Sequence, residues 1–571
     1  MTTMSPPSRW MLRIWGLVVV GVTLVVMIAT EPRLAMVWDE GYTLGREARM
    51  RSWFQALSDP AKFASTWQAP SIELVQEDRP PPPPTPPPRP EQINERHKLF
   101  EPEVIRWFWP FAREEPHGHP PFYAIVGMIG DLVAPTWATL PRARFGPMLA
   151  FSITAGALFV FVARRWGPWP GGLAACAWVL QPNLFANGHY ATLDALLSSL
   201  WLLALLAFAE AVDAGEQAER RFPRWGWVLV FGILAGWAAD TKLTGWFLPF
   251  PMLAWSLLER SRRGLLTLII GGMVASVTLY VFNPCWWSAP IEGVQRFLVS
   301  NLTRGKTIPI PVLFLGQIYH TPNQSLPWYN TLVWTALVTP VGFLGLALAG
   351  AVRVVRRWRK EPLGILALGH WAFLLLLRAL PHTPGHDGVR QMLPAFGILA
   401  LMAGLGAASL VERFQRAGKG IIAAATLEGI LGLALMMPVP LSYFSPIIGG
   451  LPGAVSVGME PTYFWDGLSE EALTWLNQHT PQGQKVAFAT NPTSWLYLQA
   501  HGKLRVGIHP RQPGAWAWYV IQNRPGAFSP WDRALVDRGH PAYVVKKWGV
   551  PLVWIYPYAE LERSLREIPG Q

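Results

Sequence analysis

The sequence of 571 residues is poor in charge and in cysteine. Only 15% of its residues are Asp, Glu, Lys or Arg, whereas 51% are hydrophobic. A soluble chain of this length would carry more charge. The two cysteines, Cys176 and Cys285, are too few for a disulfide framework or a zinc site built on cysteine pairs. A Gly-rich phosphate loop is also lacking, which argues against a nucleotide substrate.

The hydrophobic residues fall in repeated runs of roughly 18–22 residues, the length at which a helix crosses a bilayer. The formal net charge is +12. The Lys and Arg residues lie in short clusters between the apolar runs, which is typical of membrane orientation and argues against a nucleic-acid partner. We therefore expect a polytopic α-helical membrane protein surrounded by the lipid bilayer. The predicted spans are 14–29, 144–163, 168–187, 191–212, 226–240, 244–258, 264–283, 330–352, 362–380, 389–411 and 419–441.

The basic clusters assign the two sides of the membrane. Arg9 and Arg13 precede an apolar stretch without a clear cleavage site, which favours a retained signal-anchor over a signal peptide. The later basic clusters all fall on the cytoplasmic side only if the short apolar segment 120–135 lies flat on the outer surface. The prediction is about eleven transmembrane helices in the plasma (inner) membrane.

This topology divides the chain into four parts. They are an anchor helix at 1–30, a first extracytoplasmic loop at 31–141, a multi-span domain at 142–450 with an outer loop at 284–329, and an extracytoplasmic domain at 455–571. The Pro-rich insert at 79–90 predicts polyproline II or disorder, because proline has no amide hydrogen. A spacer is the favoured interpretation, and a site for a proline-binding partner is the alternative.

The last part has a different pattern from the membrane domain. Glu470 to His479 predicts a helix, and Lys485 to Ala489 and Ala542 to Lys546 predict short strands. We expect a small α/β domain outside the membrane.

Nearly all unusual polar residues fall on the outer side in this topology. The cytoplasmic side has short basic turns and little else, so we expect the chemistry at the outer surface. The candidate site residues are Asp39, Glu40, His119, His189, Asp194, Lys242, His386, Asp387 and Arg390.

From the residues alone, several candidates have both a functional and a structural interpretation. Asp194, for example, could simply cap the helix that it begins, together with Thr192. Asp39-Glu40 could supply a general base or begin a helix as a cap. His117 and His119 could bind a metal, but their spacing is not that of a structural zinc site and favours a polar turn. Lys242 could bind a phosphate or pair with Asp240 across a turn. Arg390 could bind a phosphate in two-point contact or extend to the membrane interface.

Glu428 lies in the middle of the last apolar run. A carboxylate at that depth is a functional candidate, because it is costly to place in hydrocarbon. The preferred interpretation is a protonated side chain bonded to a neighbouring helix.

The candidates are embedded in motifs with a recognisable order. An acidic pair follows the first span, then come His119-Pro-Pro, Asp194 at the start of a span, and Thr-Lys242-x-Thr. Asn283-Pro-x-Trp-Trp follows, and then His382-x-x-Gly-His-Asp-Gly-x-Arg390-Gln-x-Leu-Pro. Over about residues 10–450 this order resembles the GT-C membrane glycosyltransferases of the protein O-mannosyltransferase and aminoarabinose transferase type, glycosyltransferase family 39.

The resemblance implies a fold and an activity. We expect a GT-C-like helical domain that moves a hexosyl or pentosyl group from a polyprenyl-phosphate-linked donor to a hydroxyl acceptor, a protein or a cell-envelope glycan or lipid. Asp39 resembles the catalytic base, with Glu40 as its acidic neighbour, and Asp194 resembles the acidic residue of the second loop that positions a substrate. Lys242 and Arg390 are expected at the donor phosphate.

His119, His189, His386 and Asp387 are expected to line the substrate pocket. The resemblance implies no certain cofactor, and a divalent cation stays an open alternative.

Two other classes of protein remain to be separated from this hypothesis. A transporter or flippase for lipid-linked sugars would carry polar or Gly/Pro-broken sites near the midplane of two related halves. No such halves are visible. A non-catalytic binding protein at the outer surface needs far fewer spans.

Overall fold

The computed structural model describes most of the chain. The described residues are 8–68, 86–110, 119–213, 222–307, 310–321, 323–383, 387–508 and 513–567. His117, His386 and residues 79–85 of the Pro-rich insert, for which the sequence makes predictions, lie outside the described residues.

The chain begins with a long apolar helix, α1 (Arg9–Thr30). At 1.5 Å per residue, 22 residues extend about 33 Å, enough to cross the hydrocarbon core. The described part of the polar segment that follows is largely helical. Its helices are α2 (Trp38–Ser58), α3 (Pro60–Ser65), α4 (Pro102–Phe108), α5 (Phe122–Gly127) and α6 (Ile129–Val133).

The region predicted as the multi-span domain folds into a helical bundle. Its elements are α7 (Thr139–Trp166), α8 (Pro168–Val179), α9 (Pro182–His189), α10 (Leu193–Val212), α11 (Trp225–Ala239), α12 (Pro249–Leu258), α13 (Arg262–Phe282), α14 (Pro290–Thr307), β1 (Ile310–Phe314), β2 (Gln317–Thr321), α15 (Asn330–Val338), α16 (Val341–Arg356), α17 (Pro362–Ala379) and α18 (Leu393–Met436). Nearly every residue of α10 is buried, whereas most of α13 faces outward. Helix α10 therefore lies at the centre of the bundle and α13 at its edge.

Six helices among the described residues are long and apolar enough to cross a membrane. Several predicted spans are interrupted. The run 168–187 breaks after Leu180 into α8 and α9, and the run 330–352 breaks at Thr339-Pro340 into α15 and α16. The number of about eleven spans therefore stays a prediction. Segment Phe122–Val133 is about 18 Å long, too short to cross a bilayer.

Helix α18 reverses direction near its middle. Gln415 has φ 43° and ψ −102°, outside the helical region. The backbone of Gly418 then packs against the carbonyl of Leu410. Eight residues of a straight helix would separate these positions by about 12 Å. The two halves are thus antiparallel arms, and they correspond to the predicted runs 389–411 and 419–441.

Basic residues that were predicted on one side of the membrane also meet in space. Arg164, Arg165 and Arg224 contact the carboxylate of Glu210 at N–O distances of 3.1, 2.8 and 3.3 Å. The three arginines come from the end of α7 and the start of α11, and Glu210 from the end of α10. These helix ends therefore lie at one end of the bundle.

The carboxyl-terminal segment is an α/β unit packed on the bundle. Its sheet has the order β3-β4-β6-β5, with β3 and β4 parallel and the other pairs antiparallel. The elements are α19 (Gly450–Ser456), α20 (Glu470–His479), β3 (Lys485–Phe488), α21 (Trp495–Ala500), β4 (Trp516–Gln522), α22 (Pro530–Arg538), β5 (Tyr543–Lys547), β6 (Val550–Pro557) and α23 (Tyr558–Glu567). The predicted helix at Glu470–His479 and both predicted strands are confirmed.

Candidate active site

Asp39 and Glu40 open helix α2 but point in different directions. Neighbouring residues on a helix are separated by about 100°, so their side chains do not share a face. Both lie in the first turn, where the free amides and the helix dipole favour negative charge. Glu40 accepts a hydrogen bond from the Val37 amide at 3.0 Å, which caps the helix.

The carboxylate of Glu40 is buried in an ion cluster with Arg144 of α7. Arg144 Nε and Nη2 donate to Oε1 and Oε2 of Glu40, each at 2.7 Å, and Nη1 donates to Glu31 Oε1 at 3.0 Å. The Ala191 amide also donates to Glu40 Oε1 at 2.9 Å. The side chains of Glu40 and Arg144 are fully buried. Glu40 is thus bonded on both oxygens and cannot meet a substrate in this arrangement.

Asp39 contacts Arg390, 351 positions later in the sequence. Arg390 also lies 2.7 Å from Asp387 Oδ2 and 3.5 Å from Asp194 Oδ2. Lys242 Nζ lies 2.6 Å from the other oxygen of Asp194. We call these five residues the charged cluster. They come from α2, the start of α10, the turn after α11, and the segment before α18.

The side chains of the charged cluster differ in their exposure to solvent. The side chain of Asp39 is 28% exposed, whereas that of Asp194 is 1% exposed. Lys242 is also nearly buried, and burial lowers the pKa of its ammonium to about 8; Asp194 opposes this shift and Arg390 adds to it. Asp39 therefore lies at the mouth of the cluster and Lys242 near its floor.

The turn that carries Lys242 is held by two motifs singled out in the sequence. The Asn283 amide group donates to Asp240 Oδ1 at 3.1 Å, and the Phe122 amide donates to the Asp240 carbonyl at 3.1 Å. Asn283 belongs to Asn-Pro-x-Trp-Trp, and Phe122 directly follows His119-Pro-Pro. Both motifs thus position the turn beside the charged cluster. The structure places His119, half-buried, at the approach to α5.

His189 lies elsewhere. Its ring is buried, with Nδ1 2.7 Å from the Phe185 carbonyl and Nε2 3.0 Å from the Met27 carbonyl and 2.9 Å from Thr30 Oγ1. It links α9 to the end of α1, and its ring nitrogens are already hydrogen-bonded. The structure does not bring it into the charged cluster.

One charged residue of the carboxyl-terminal segment contacts the charged cluster and a second contacts that residue, and sequence reasoning missed both. Arg524, just after β4, contacts Asp387 Oδ1 at 2.8 Å. Glu460 lies 3.8 Å from Arg524 Nε, and burial raises its pKa to about 7 although Arg524 lowers it. No spacing pattern links these positions to Asp387.

Aromatic side chains flank the charged cluster. The guanidinium of Arg390 lies 4.1 Å from the ring centre of Phe464, and the rings of Trp38 and Trp465 are 5.7 Å apart. The Trp38 amide donates to the Phe464 carbonyl at 3.4 Å. The backbone of Gly41 lies against that of Thr493, a closeness that leaves no room for a side chain. Residues 464–465 and Thr493 therefore pack against the first turn of α2.

Among the described residues, no three His, Cys, Asp or Glu side chains are grouped so that they could hold a metal ion. The carboxylates of the charged cluster are paired with Arg390 and Lys242.

Residues 119–287 match the family model described as dolichyl-phosphate-mannose-protein mannosyltransferase. That segment includes Asp194 and Lys242 but neither Asp39 nor Arg390. None of the curated proteins matches the sequence.

The whole fold is similar to solved structures. ArnT from Cupriavidus metallidurans bound to undecaprenyl phosphate aligns over 95% of this chain and 98% of that chain, with a TM-score of 0.52 and 13% identity. The chain has the GT-C fold. This confirms the fold expected from the order of the motifs.

Two further solved structures align with this chain. ArnT in the apo state has a TM-score of 0.51 and 13% identity, covering 96% of this chain and 98% of that chain. The archaeal oligosaccharyltransferase AglB from Archaeoglobus fulgidus, in complex with an inhibitory peptide and a dolichol-phosphate, has a TM-score of 0.45 and 12% identity, covering 89% and 69%. The GT-C fold and the family match together support an integral membrane glycosyltransferase that uses lipid-linked sugars.

Proposed function

We propose that the chain transfers a sugar from a polyprenyl-phosphate donor to a hydroxyl acceptor in one inverting displacement at the extracytoplasmic face. The observation that carries the proposal is the charged cluster, in which the partly exposed carboxylate of Asp39 contacts the cation Arg390, beside the Lys242–Asp194 pair. A carboxylate and two cations are what a base and a phosphate leaving group require. ArnT, solved with undecaprenyl phosphate, supports this donor class.

The first step is binding of the donor phosphate. Arg390 presents a planar fork of N–H groups, which matches a phosphate in two-point contact. In the free protein Asp39 contacts one arm of that fork. A phosphate that takes over this arm releases the Asp39 carboxylate to accept a proton.

The second step is the displacement. Asp39 takes the proton from the acceptor hydroxyl while the hydroxyl oxygen forms a bond to the anomeric carbon. The bond from that carbon to the phosphate oxygen breaks, and the electron pair leaves with polyprenyl phosphate. The leaving phosphate gains negative charge, so Arg390 and Lys242 stabilise the transition state more than the bound donor. A single displacement inverts the anomeric centre.

Other predicted residues have supporting roles in this proposal. Asp194 holds Lys242 and faces Arg390, and Asp387 holds Arg390 from the other side. Glu40, whose oxygens are occupied by Arg144, fixes the start of α2 and thereby the direction of Asp39.

The experiment that tests the base compares purified Asp39→Asn with the wild type, with undecaprenyl phosphate mannose as the donor. The measured quantity is the rate at which undecaprenyl phosphate is released. We expect kcat to fall by about 10²–10⁴-fold. The matched control is Asp131→Asn, because Asp131 is also paired with an arginine, Arg51 at 2.9 Å, but lies outside the charged cluster. Turnover of Asp39→Asn close to that of the control would remove Asp39 from the mechanism.

The same assay separates a transferase from a flippase. A flippase for lipid-linked sugars would move the donor between the leaflets of a proteoliposome without releasing undecaprenyl phosphate. Mass spectrometry of glycans and glycoproteins before and after deletion of the gene would then identify the sugar and the acceptor.

A further inference from the structure

Arg524 joins the carboxyl-terminal domain to the charged cluster. It follows β4, and its side chain is 5% exposed. Nη1 contacts Asp387 Oδ1 at 2.8 Å and donates to the Tyr463 carbonyl at 2.9 Å, and Nε lies 3.8 Å from Glu460 Oε2. A buried guanidinium is costly unless it is paired and hydrogen-bonded. Here the contacts come from two segments, Asp387 on one and Glu460 and Tyr463 on the other.

Asp387 lies between Arg524 and Arg390 and contacts both. One carboxylate oxygen faces Arg524 and the other faces Arg390 at 2.7 Å. Because each oxygen is held by a different arginine, the carboxylate plane is fixed from two sides. Asp387 and Gly388 have positive φ values of 44° and 61°, so the turn before Arg390 is also conformationally restricted.

A second route to Arg390 passes through the segment 463–466. Trp465 has a φ of 61°, a strained conformation for a bulky residue, and the Arg524 guanidinium lies 5.0 Å from its ring centre. Arg524 also holds the carbonyl of Tyr463. Phe464, between Tyr463 and Trp465 in the sequence, packs its ring against the guanidinium of Arg390. Arg524 therefore supports Arg390 from both sides.

Glu460 fixes the far end of this arrangement. Its Oε1 accepts from the Gly526 amide at 3.0 Å and from the Leu313 amide at 3.4 Å. Leu313 lies on β1 of the outer loop 284–329. The loop, the carboxyl-terminal domain and Arg524 are thus held as one unit over the charged cluster.

We propose that Arg524 is a positioning residue for the donor phosphate: the carboxyl-terminal domain sets the orientation of the phosphate-binding Arg390 through Asp387 and the segment 463–466. The phosphate-binding part of this inference rests on the proposed function. The positioning of Arg390 does not, and it can be measured without any substrate.

The test compares Arg524→Gln and Arg524→Lys with Arg353→Gln. Arg353 is a matched control because its side chain is also 5% exposed and lies between two carboxylates, Glu361 and Glu412, at 2.7 and 2.8 Å. Both Gln variants are expected to lower Tm. Only Arg524→Gln should raise KM for undecaprenyl phosphate mannose, by about ten- to a hundredfold, with KM for the acceptor unchanged. Lysine keeps the charge without the fork, so Arg524→Lys should give an intermediate KM.

The substrate-free measurement is phenylglyoxal labelling of Arg390, followed by mass spectrometry. We expect Arg390 to react several-fold faster in Arg524→Gln than in the wild type or Arg353→Gln. Arg524→Gln combined with Asp387→Asn should raise the donor KM by less than the product of the two single effects, because the two residues share one network and their effects are not additive.

The outcomes separate this inference from the proposed function. Unchanged labelling and unchanged donor KM in Arg524→Gln, with a Tm loss like that of the control, would overturn the positioning role. Faster labelling in a protein whose wild type releases no undecaprenyl phosphate would support the positioning of Arg390 and reject undecaprenyl phosphate mannose as the donor. Additive effects of Arg524→Gln and Asp387→Asn would reject the route through Asp387.

Discussion

Because the ammonium of Lys242 is buried, we predict that the transfer reaction slows at alkaline pH. Burial lowers the pKa of Lys242 to about 8 from the ordinary value of 10.5, against the opposing effect of Asp194. Because its pKa is lowered, Lys242 loses its proton at a lower pH than an ordinary lysine. It is charged below pH 8 and neutral well above pH 8. A neutral amine cannot stabilise the charge that gathers on the leaving phosphate.

The magnitude follows from the fraction of charged Lys242. The kcat/KM for undecaprenyl phosphate mannose reports the free enzyme, so it should be level below pH 8 and fall about tenfold per pH unit above it. A bound phosphate places a negative charge beside Lys242 and raises its pKa, so kcat should decline at a higher pH than kcat/KM.

The assay is release of undecaprenyl phosphate between pH 6 and 10, with Lys242→Arg as the comparison. A guanidinium stays charged throughout this range, so the decline should disappear in Lys242→Arg even if the overall rate is lower. A decline near pH 8 that persists in Lys242→Arg, or a level wild-type profile to pH 10, would refute the assignment.

Three further substitutions have expected outcomes. Asp194→Asn removes the charge that opposes the pKa shift of Lys242, so the decline in kcat/KM should move below pH 8 in the same pH series. Arg144→Met leaves Glu31 and Glu40 buried without their cation and should cost about 3–5 kcal/mol, seen as a large loss of Tm, whereas an unchanged Tm would contradict the buried cluster. Glu428→Ala should lower the stability by about 1–2 kcal/mol without changing donor KM, and a raised KM would instead give Glu428 a role in donor binding.

Much of the charged cluster could be predicted from sidedness. Asp39, Asp194, Lys242, Asp387 and Arg390 were all expected at the outer ends of helices, and the structure brings these five together. The hydrophobic runs indicate where the helices end. Polar side chains at helix ends on the same side of the membrane are excluded from the hydrocarbon, so they are expected to lie near one another. Their catalytic roles stay predictions.

The separation of Glu40 from Asp39 was missed although the sequence contained the signal. Consecutive residues in a helical first turn face different neighbours, so only one of the two can point into the charged cluster. The contribution of Arg524 had no such signal, because its contact with Asp387 depends on how the carboxyl-terminal domain sits on the bundle. The number of spans depends in part on breaks such as Thr339-Pro340, which hydrophobicity alone does not show.

Glu428 in the second arm of α18 shows why one of these breaks is tolerated. Its two carboxylate oxygens accept hydrogen bonds from the amides of Val341 and Gly342 at 2.7 and 2.6 Å, directly after Pro340. Backbone amides released by a break inside hydrocarbon have no water to bond to. The side chain thus takes the place of solvent for a helix that starts within the apolar region. In relatives of this chain, Glu428 and Pro340 should therefore be kept or replaced together, as a covarying pair.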